Sequence, residues 1–216
     1  MYKRYIKRLI DIVLSGVGIV VLAIPILIIA VIIKIDDPGP VFFRQKRVGI
    51  HKSYFSILKL RSMPVKVPSD VPTHLFKAED MLTPFQRLER RFSIDELPQL
   101  WNIFKGDMSI IGPRPALWNQ YDLIEERDKY GANDVMPGLT GWAQICGRDE
   151  LEIADKAKLD GEYVQRMSFL FDCKCFFGTI GKVLKSDGVV EGGTGRNKQV
   201  KRMEKTYLDG NGRKKN

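Results

Sequence analysis

RLIDIVLSGVGIVVLAIPILIIAVIIKIDDPG, residues 8–39, decides the fold. Ile12 to Ile33 is an uncharged run of 22 residues. At a rise of about 1.5 Å per residue it reaches roughly the thickness of a bilayer core, so the chain meets a membrane. A secretory leader fits poorly, because the run exceeds the usual apolar length and passes through VLAIP with no convincing small-residue cleavage site before Asp36. Lys3, Arg4, Lys7 and Arg8 precede the run, and Lys34, Arg44, Lys46, Arg47 and Lys52 follow it. The excess of positive charge on cytoplasmic flanks therefore assigns both ends to the same side. A straight span cannot satisfy that. Pro25, near the middle, cannot donate to the Val21 carbonyl and bends the helix, which lets both ends return to one face. A kinked spanning helix and a re-entrant hairpin both stay open, since the freed carbonyl needs a partner or a shield.

Outward from this segment, DDPGP stops the helix, and VFFRQKRVGIHKSYFSILKLRSM alternates apolar and polar residues around Val48, Gly49 and Ile50, the pattern of a β-hairpin. Pro64, Pro68, Pro72 and Pro84 punctuate a long polar loop over Ser62 to Thr83, with a short helical piece near Leu75 to Met81. Pro98 to Phe104 reads as a helix with Gly106 past its end, and ALWNQYDLIEERDKYG as a second. MPGLTGWAQICGR is read as turns and short extended pieces, and ELEIADKAKLDGEYVQRM as helix again. SFLFDCKCFFGTIGKVLK sets aromatic and aliphatic residues against Lys174, Lys182 and Lys185, as a core helix or one lying in the headgroup plane would; beside an apolar N-terminus the interface is the better reading.

The net charge of +9 favours anionic partners. Nucleic acid fits badly, because the arginines gather around an acid pair that would repel a polyanion rather than forming a stripe with stacking aromatics. Cys146, Cys173 and Cys175 supply too few ligands for structural zinc, and a reducing compartment is the simplest fit. His51 and His74 stand alone.

The acid pair is Asp95 and Glu96 in SIDELPQLWN. Ser93 and Glu96 match a capping box, and acids at a helix N-terminus are favourable by about 0.3–1 kcal/mol. With Ser93 as the cap, however, Pro98 would fall where its nitrogen should donate to the Ile94 carbonyl. The helix therefore starts near Leu97 or Pro98 and leaves both acids in the lead-in turn. Arg90 and Arg91 precede the pair, Lys59 and Arg61 end the hairpin, and Arg114 stands between two prolines in GPRP, a rigid fork for phosphate. Two carboxylates, several cations and one Mg²⁺ suit a diphosphate substrate, with one acid on the metal and the other attacking phosphorus.

SIDELPQLWNIFKGDMSIIGPRPALWNQ, followed by PGLTGWAQICGRDEL and preceded by DDPGPVFFRQKRVG and LKLRSM, closely resembles the monotopic phosphoglycosyl transferases, or bacterial sugar transferases, over about Arg8 to Lys185. The resemblance implies transfer of a phosphosugar from a UDP-sugar to undecaprenyl phosphate, giving undecaprenyl-diphosphate-sugar and UMP, with Mg²⁺ and a covalent intermediate, at the start of bacterial glycan assembly. It implies Asp95 as nucleophile and Glu96 as metal ligand. Lys59, Arg90, Arg114 and Arg148 become ligands of phosphates and nucleotide, and Asp172 a further site position of either structural or binding role. It supports Pro25 as the membrane hinge, although Ile24 stands where the family often has serine. Motif similarity suggests an N-acetylated amino sugar; oligomeric state is left open.

The resulting expectation is a mainly α protein with a small β-hairpin: residues 1–36 a re-entrant membrane helix, 37–187 a cytoplasmic α/β catalytic domain with interfacial amphipathic helices, and 188–216 a basic, flexible tail. It resembles a minimal catalytic unit on the inner face of the bacterial cell membrane, without the additional spanning helices of larger relatives.

Overall fold

The computed structural model describes residues 1–65, 82–147 and 151–185. The helical piece expected before Met81, Arg148 and the tail from 188 to 216 lie outside them.

Helix α1 (Lys7–Asp36) continues a helical turn at Tyr2–Ile6 and runs through Pro25 without interruption. Among the described residues it is the one helix long and apolar enough to cross a membrane. Val20, Val21, Ile24, Leu27 and Ile28 face outward around its middle, a surface with no polar side chain to meet water. Its two ends, by contrast, are tied to the folded body. At the start, Arg8 donates to the carbonyls of Ile103 (2.6 Å) and Phe104 (2.8 Å), and Asp11 accepts from the Ile110 amide (2.9 Å). At the finish, Thr83 Oγ1 donates to Asp36 (2.6 Å), and Arg61 donates to the Asp37 carbonyl.

The predicted hairpin is present: β1 (Phe42–Val48) pairs antiparallel with β2 (Tyr54–Leu60), Phe42 opposite Leu60 and Val48 opposite Tyr54. Its turn takes His51 and Lys52 through positive φ of 51° and 58°. The outer edge of β2 is covered by one side chain: Asn102 Oδ1 accepts from Leu58 N and Nδ2 donates to Ser56 O, both at 2.9 Å.

Two helices follow. Helix α2 (Pro84–Arg91) is capped by Thr83, which exchanges hydrogen bonds with Gln86 in a capping box, with proline at the first helical position. Helix α3 (Gln99–Lys105) ends on Gly106 at φ 108°, as the proline-to-glycine asymmetry predicts. Strand β3 (Ser109–Ile111) then pairs in parallel with β4 (Gly138–Thr140), a second two-stranded sheet. Between them lies α4 (Tyr121–Asp128), and beyond β4 come α5 (Trp142–Cys146), α6 (Ile153–Arg166) and α7 (Phe169–Lys185). The glycine-rich stretch from Met136 onward thus holds a strand and a helical turn, against the reading as turns and extended pieces alone. α2 was not anticipated either.

The mainly helical reading holds, with two small sheets in place of one. Ile111, Tyr163, Phe171 and Cys175 form one core cluster, and Ile57, Ile103 and Met108 another under the hairpin. Arg127 and Asp160, both almost fully buried, bind α4 to α6 through two hydrogen bonds of 2.8 and 2.6 Å. On α7, Phe171, Asp172 and Cys175 are buried while Phe169, Leu170, Phe176, Phe177 and Ile180 are exposed, an uncovered apolar surface along the helix.

Candidate active site

Asp95 and Glu96 occupy a single tight turn, Ile94–Glu96, between α2 and α3. Ser93 enters it with a left-handed backbone (φ 55°) and makes no capping bond, so the pair does not cap α3. The proline explains this: Pro98 stands at the N-cap of α3, and the acids are displaced into the preceding turn. Both carboxylates are buried, at 7 % and 9 % exposure.

Cations reach the pair unequally. Lys59 Nζ, at the end of β2, lies 2.8 Å from Glu96 Oε1 and 4.0 Å from Asp95 Oδ2. Arg114 places Nη2 2.5 Å from Glu96 Oε1 and Nη1 3.2 Å from Oε2, a forked contact. Among the described residues Asp95 accepts one hydrogen bond, from Ser62 Oγ at 3.2 Å. Burial opposes the charge on Glu96, but Arg114 and Lys59 outweigh it and hold the carboxyl well below the usual range. For Asp95 burial wins: it pushes the carboxyl up, Glu96 adds to the rise, and Lys59, Arg90 and Ser62 offset part of it. Adjacent carboxylates thus differ in basicity, the lesser-paired one being the better electron donor.

Arg114 owes its position to backbone on either side. Arg47 Nη1 donates to Pro115 O (3.0 Å) and Val48 N to Ala116 O (3.0 Å), from β1; Gly138 N donates to Pro113 O and Gly112 N to Thr140 O, both 2.8 Å, from the β4 side. Gly112 and Gly138 approach so closely that a Cβ on either would strike the backbone of the other. The GPRP segment is therefore held between the hairpin and the parallel strand pair.

Of the residues expected at the site, Asp95, Glu96, Lys59 and Arg114 come together, and Arg90 stands close enough at the end of α2 to lower Asp95. Arg148 is outside the described residues. Asp172 lies in a different cluster, on α7, where it accepts from Tyr2 OH (2.5 Å), Lys7 Nζ (2.6 Å) and Tyr163 OH (2.8 Å). Its partners fasten the start of α1 to α6 and α7. The sequence reading gives Ser62 and Arg47 no place at the site: Ser62 follows Arg61 in LKLRSM, so its hydroxyl was within sight, whereas Arg47 counts there only among the positive charges flanking the apolar run.

Among the described residues no three His, Cys, Asp or Glu side chains converge on one point. A cavity of about 500 Å³ opens beside the pair. Leu14 and Leu22 of α1, Leu100, and Phe176 and Ile180 of α7 give it an apolar wall, and Glu96 is part of its lining.

The chain matches the bacterial sugar transferase family model over residues 2–186. It is 39% identical over 184 residues to the uncharacterized sugar transferase EpsL of Bacillus subtilis (strain 168), covering 85% of this chain and 90% of the relative. It is 38% identical both to the undecaprenyl-phosphate glucose phosphotransferase of Komagataeibacter xylinus and to the UDP-glucose:undecaprenyl-phosphate glucose-1-phosphate transferase of Escherichia coli (strain K12). Each of those matches takes in 83% of this chain but only 36% and 40% of the respective relative, so the chain spans less than half their length. Carried by a match that runs from Tyr2 through α7, the conclusion is that this chain belongs to the bacterial sugar transferase family.

Proposed function

We propose that the protein transfers a sugar 1-phosphate from a UDP-sugar to undecaprenyl phosphate through an aspartyl intermediate on Asp95. The observation that carries this reading is the unequal pairing of two neighbouring buried carboxylates, one neutralised by Lys59 and Arg114 and the other held by Ser62 and a longer lysine contact. An Asp95 oxygen attacks the phosphorus that bears the sugar, the bond to the UMP oxygen breaks, and an acyl phosphate remains. A phosphate oxygen of the lipid then attacks the same phosphorus, the bond to Asp95 breaks, and the carboxylate is regenerated beside a new diphosphate. Arg114 and Lys59 are placed to turn from Glu96 toward the phosphates as these arrive.

The residues fit a magnesium ion, which accepts one or two carboxylates plus substrate phosphate oxygens. Glu96, ionised and in the cavity wall, would hold it, and the ion would withdraw charge from the phosphates.

The membrane side supports the same reading. The cavity between α1 and α7 suits the first units of a prenyl chain, and the exposed apolar surface of α7 suits the headgroup boundary. A straight α1 of 30 residues would measure about 45 Å, yet both its ends are bound to one folded body, which favours the re-entrant form with Pro25 as hinge and the body on the cytoplasmic face. A cysteine placed near Tyr2 should then resist impermeant reagents in intact cells, and labelling from outside would mean a span.

The names of the relatives favour a hexose such as glucose over the N-acetylated amino sugar that motif similarity suggests. The test is release of UMP from a panel of UDP-sugars without lipid acceptor. A burst close to the amount of enzyme is expected; normal turnover with no burst would mean direct attack by the lipid phosphate in a ternary complex.

A further inference from the structure

Glu89, on α2 and six residues before Asp95, takes no part in the chemistry above. It is 1 % exposed, and among the described residues neither carboxyl oxygen meets a hydrogen-bond donor. Removing an ionised carboxylate from water without a partner is strongly unfavourable, and a group so placed takes up a proton instead.

The surroundings reinforce this. The charges that act on Glu89 are those of Asp95 on the turn before α3, Asp36 at the end of α1 and Arg61 just past the end of β2. Arg61 is turned toward Asp37, donating to its carbonyl and standing 3.5 Å from its carboxylate, while its Nε and Nη1 stay buried without acceptors among the described residues. Burial, then Asp95, then Asp36 push the Glu89 carboxyl up to about 8, and Arg61 offsets only part of the rise.

We infer that Glu89 is a positioning residue that carries a proton beside Asp95, so that Asp95 and Glu96 alone charge the catalytic turn. When the proton leaves to solvent, a third negative charge bears on Asp95 and on the arriving diphosphate, and transfer slows. No bond of the transfer itself involves Glu89. The inference rests on the proposed reaction only for its kinetic consequence; the proton can be observed without a donor sugar.

The experiment uses the full chain in lipid nanodiscs. The infrared difference between wild type and Glu89→Gln should contain a protonated-carboxyl band near neutral pH that disappears at alkaline pH. UMP release by wild type should step down about tenfold to a lower plateau on the alkaline side, whereas Glu89→Gln, neutral at every pH, should hold its neutral-pH rate within about threefold and show no such step. Glu89→Leu should fold and behave likewise, because an apolar group replaces an uncharged buried one. Absence of the band near neutral pH, a Glu89→Gln profile that overlays wild type, or loss of UMP release by folded Glu89→Gln would each overturn the inference. If wild type releases no UMP from any UDP-sugar, it is the transfer reaction that fails, and the infrared band still decides the proton.

Discussion

Lys59 is bound to Glu96 at 2.8 Å, although the neighbouring Asp95 is only 4.0 Å away. One ammonium thus fixes the charge of one acid and leaves the other partly unsatisfied. That inequality separates two residues which chemistry alone would make equivalent.

Asp95→Asn should lose UMP release by about 10⁴-fold or more while remaining folded, because the amide keeps the shape and removes the oxygen proposed to attack phosphorus. Rapid-quench measurement of UMP together with circular dichroism checks both halves. Asp95→Asn turning over at wild-type rate would remove Asp95 from the mechanism.

Lys59→Met should move the acid side of the pH–rate profile to higher pH. Lys59 lowers the Asp95 carboxyl, which burial raises; without the ammonium the carboxyl rises further, so protonation silences the nucleophile earlier as pH falls. An acid limb shifted downward or unmoved would contradict the electrostatic role.

Asp172→Asn should cost stability before chemistry. Lys7 and Asp172 form a buried pair at 2.6 Å, and removing one partner of such a pair costs about 3–5 kcal/mol. Thermal unfolding should drop clearly while UMP release per folded molecule stays within about threefold of wild type. A large loss of UMP release at unchanged stability would return Asp172 to the active site.

Gly18→Leu should separate the two half-reactions. Even a Cβ at Gly18 would lie 2.9 Å from Leu100 Cδ1 in the wall of the cavity. A larger side chain closes part of the space proposed for the lipid acceptor. The expected result is a retained UMP burst with lipid-dependent turnover reduced about tenfold or more; equal loss of both steps would mean that the cavity does not serve the acceptor.

Much of the architecture was legible because its signals are local. The uncharged run of α1, the alternation of β1 and β2, and the Pro98-to-Gly106 bracket of α3 each lie within a few turns of chain. The lead-in position of Asp95 and Glu96 followed from one fact, that Pro98 cannot donate within a helix. α2 was missed although Thr83, Pro84 and Gln86 spell out its start, because the surrounding prolines read as loop. The β3–β4 pair was invisible for a different reason: three-residue strands joined across 26 intervening residues carry no periodicity, and only their close glycines make the approach possible. The site was legible in its residue types but not in its pairing. Nothing in sequence order says that Lys59 chooses Glu96, that Asp172 turns toward Tyr2 and Lys7, or that Glu89 finds no donor among the described residues.

Asn102 imitates a peptide unit against Ser56 and Leu58. A two-stranded ribbon ordinarily offers its free side to another chain and so invites self-association. Here the vacancy is filled from α3, which follows directly on the turn that holds Asp95 and Glu96, so loosening that segment would unmask an adhesive border beside the acid pair.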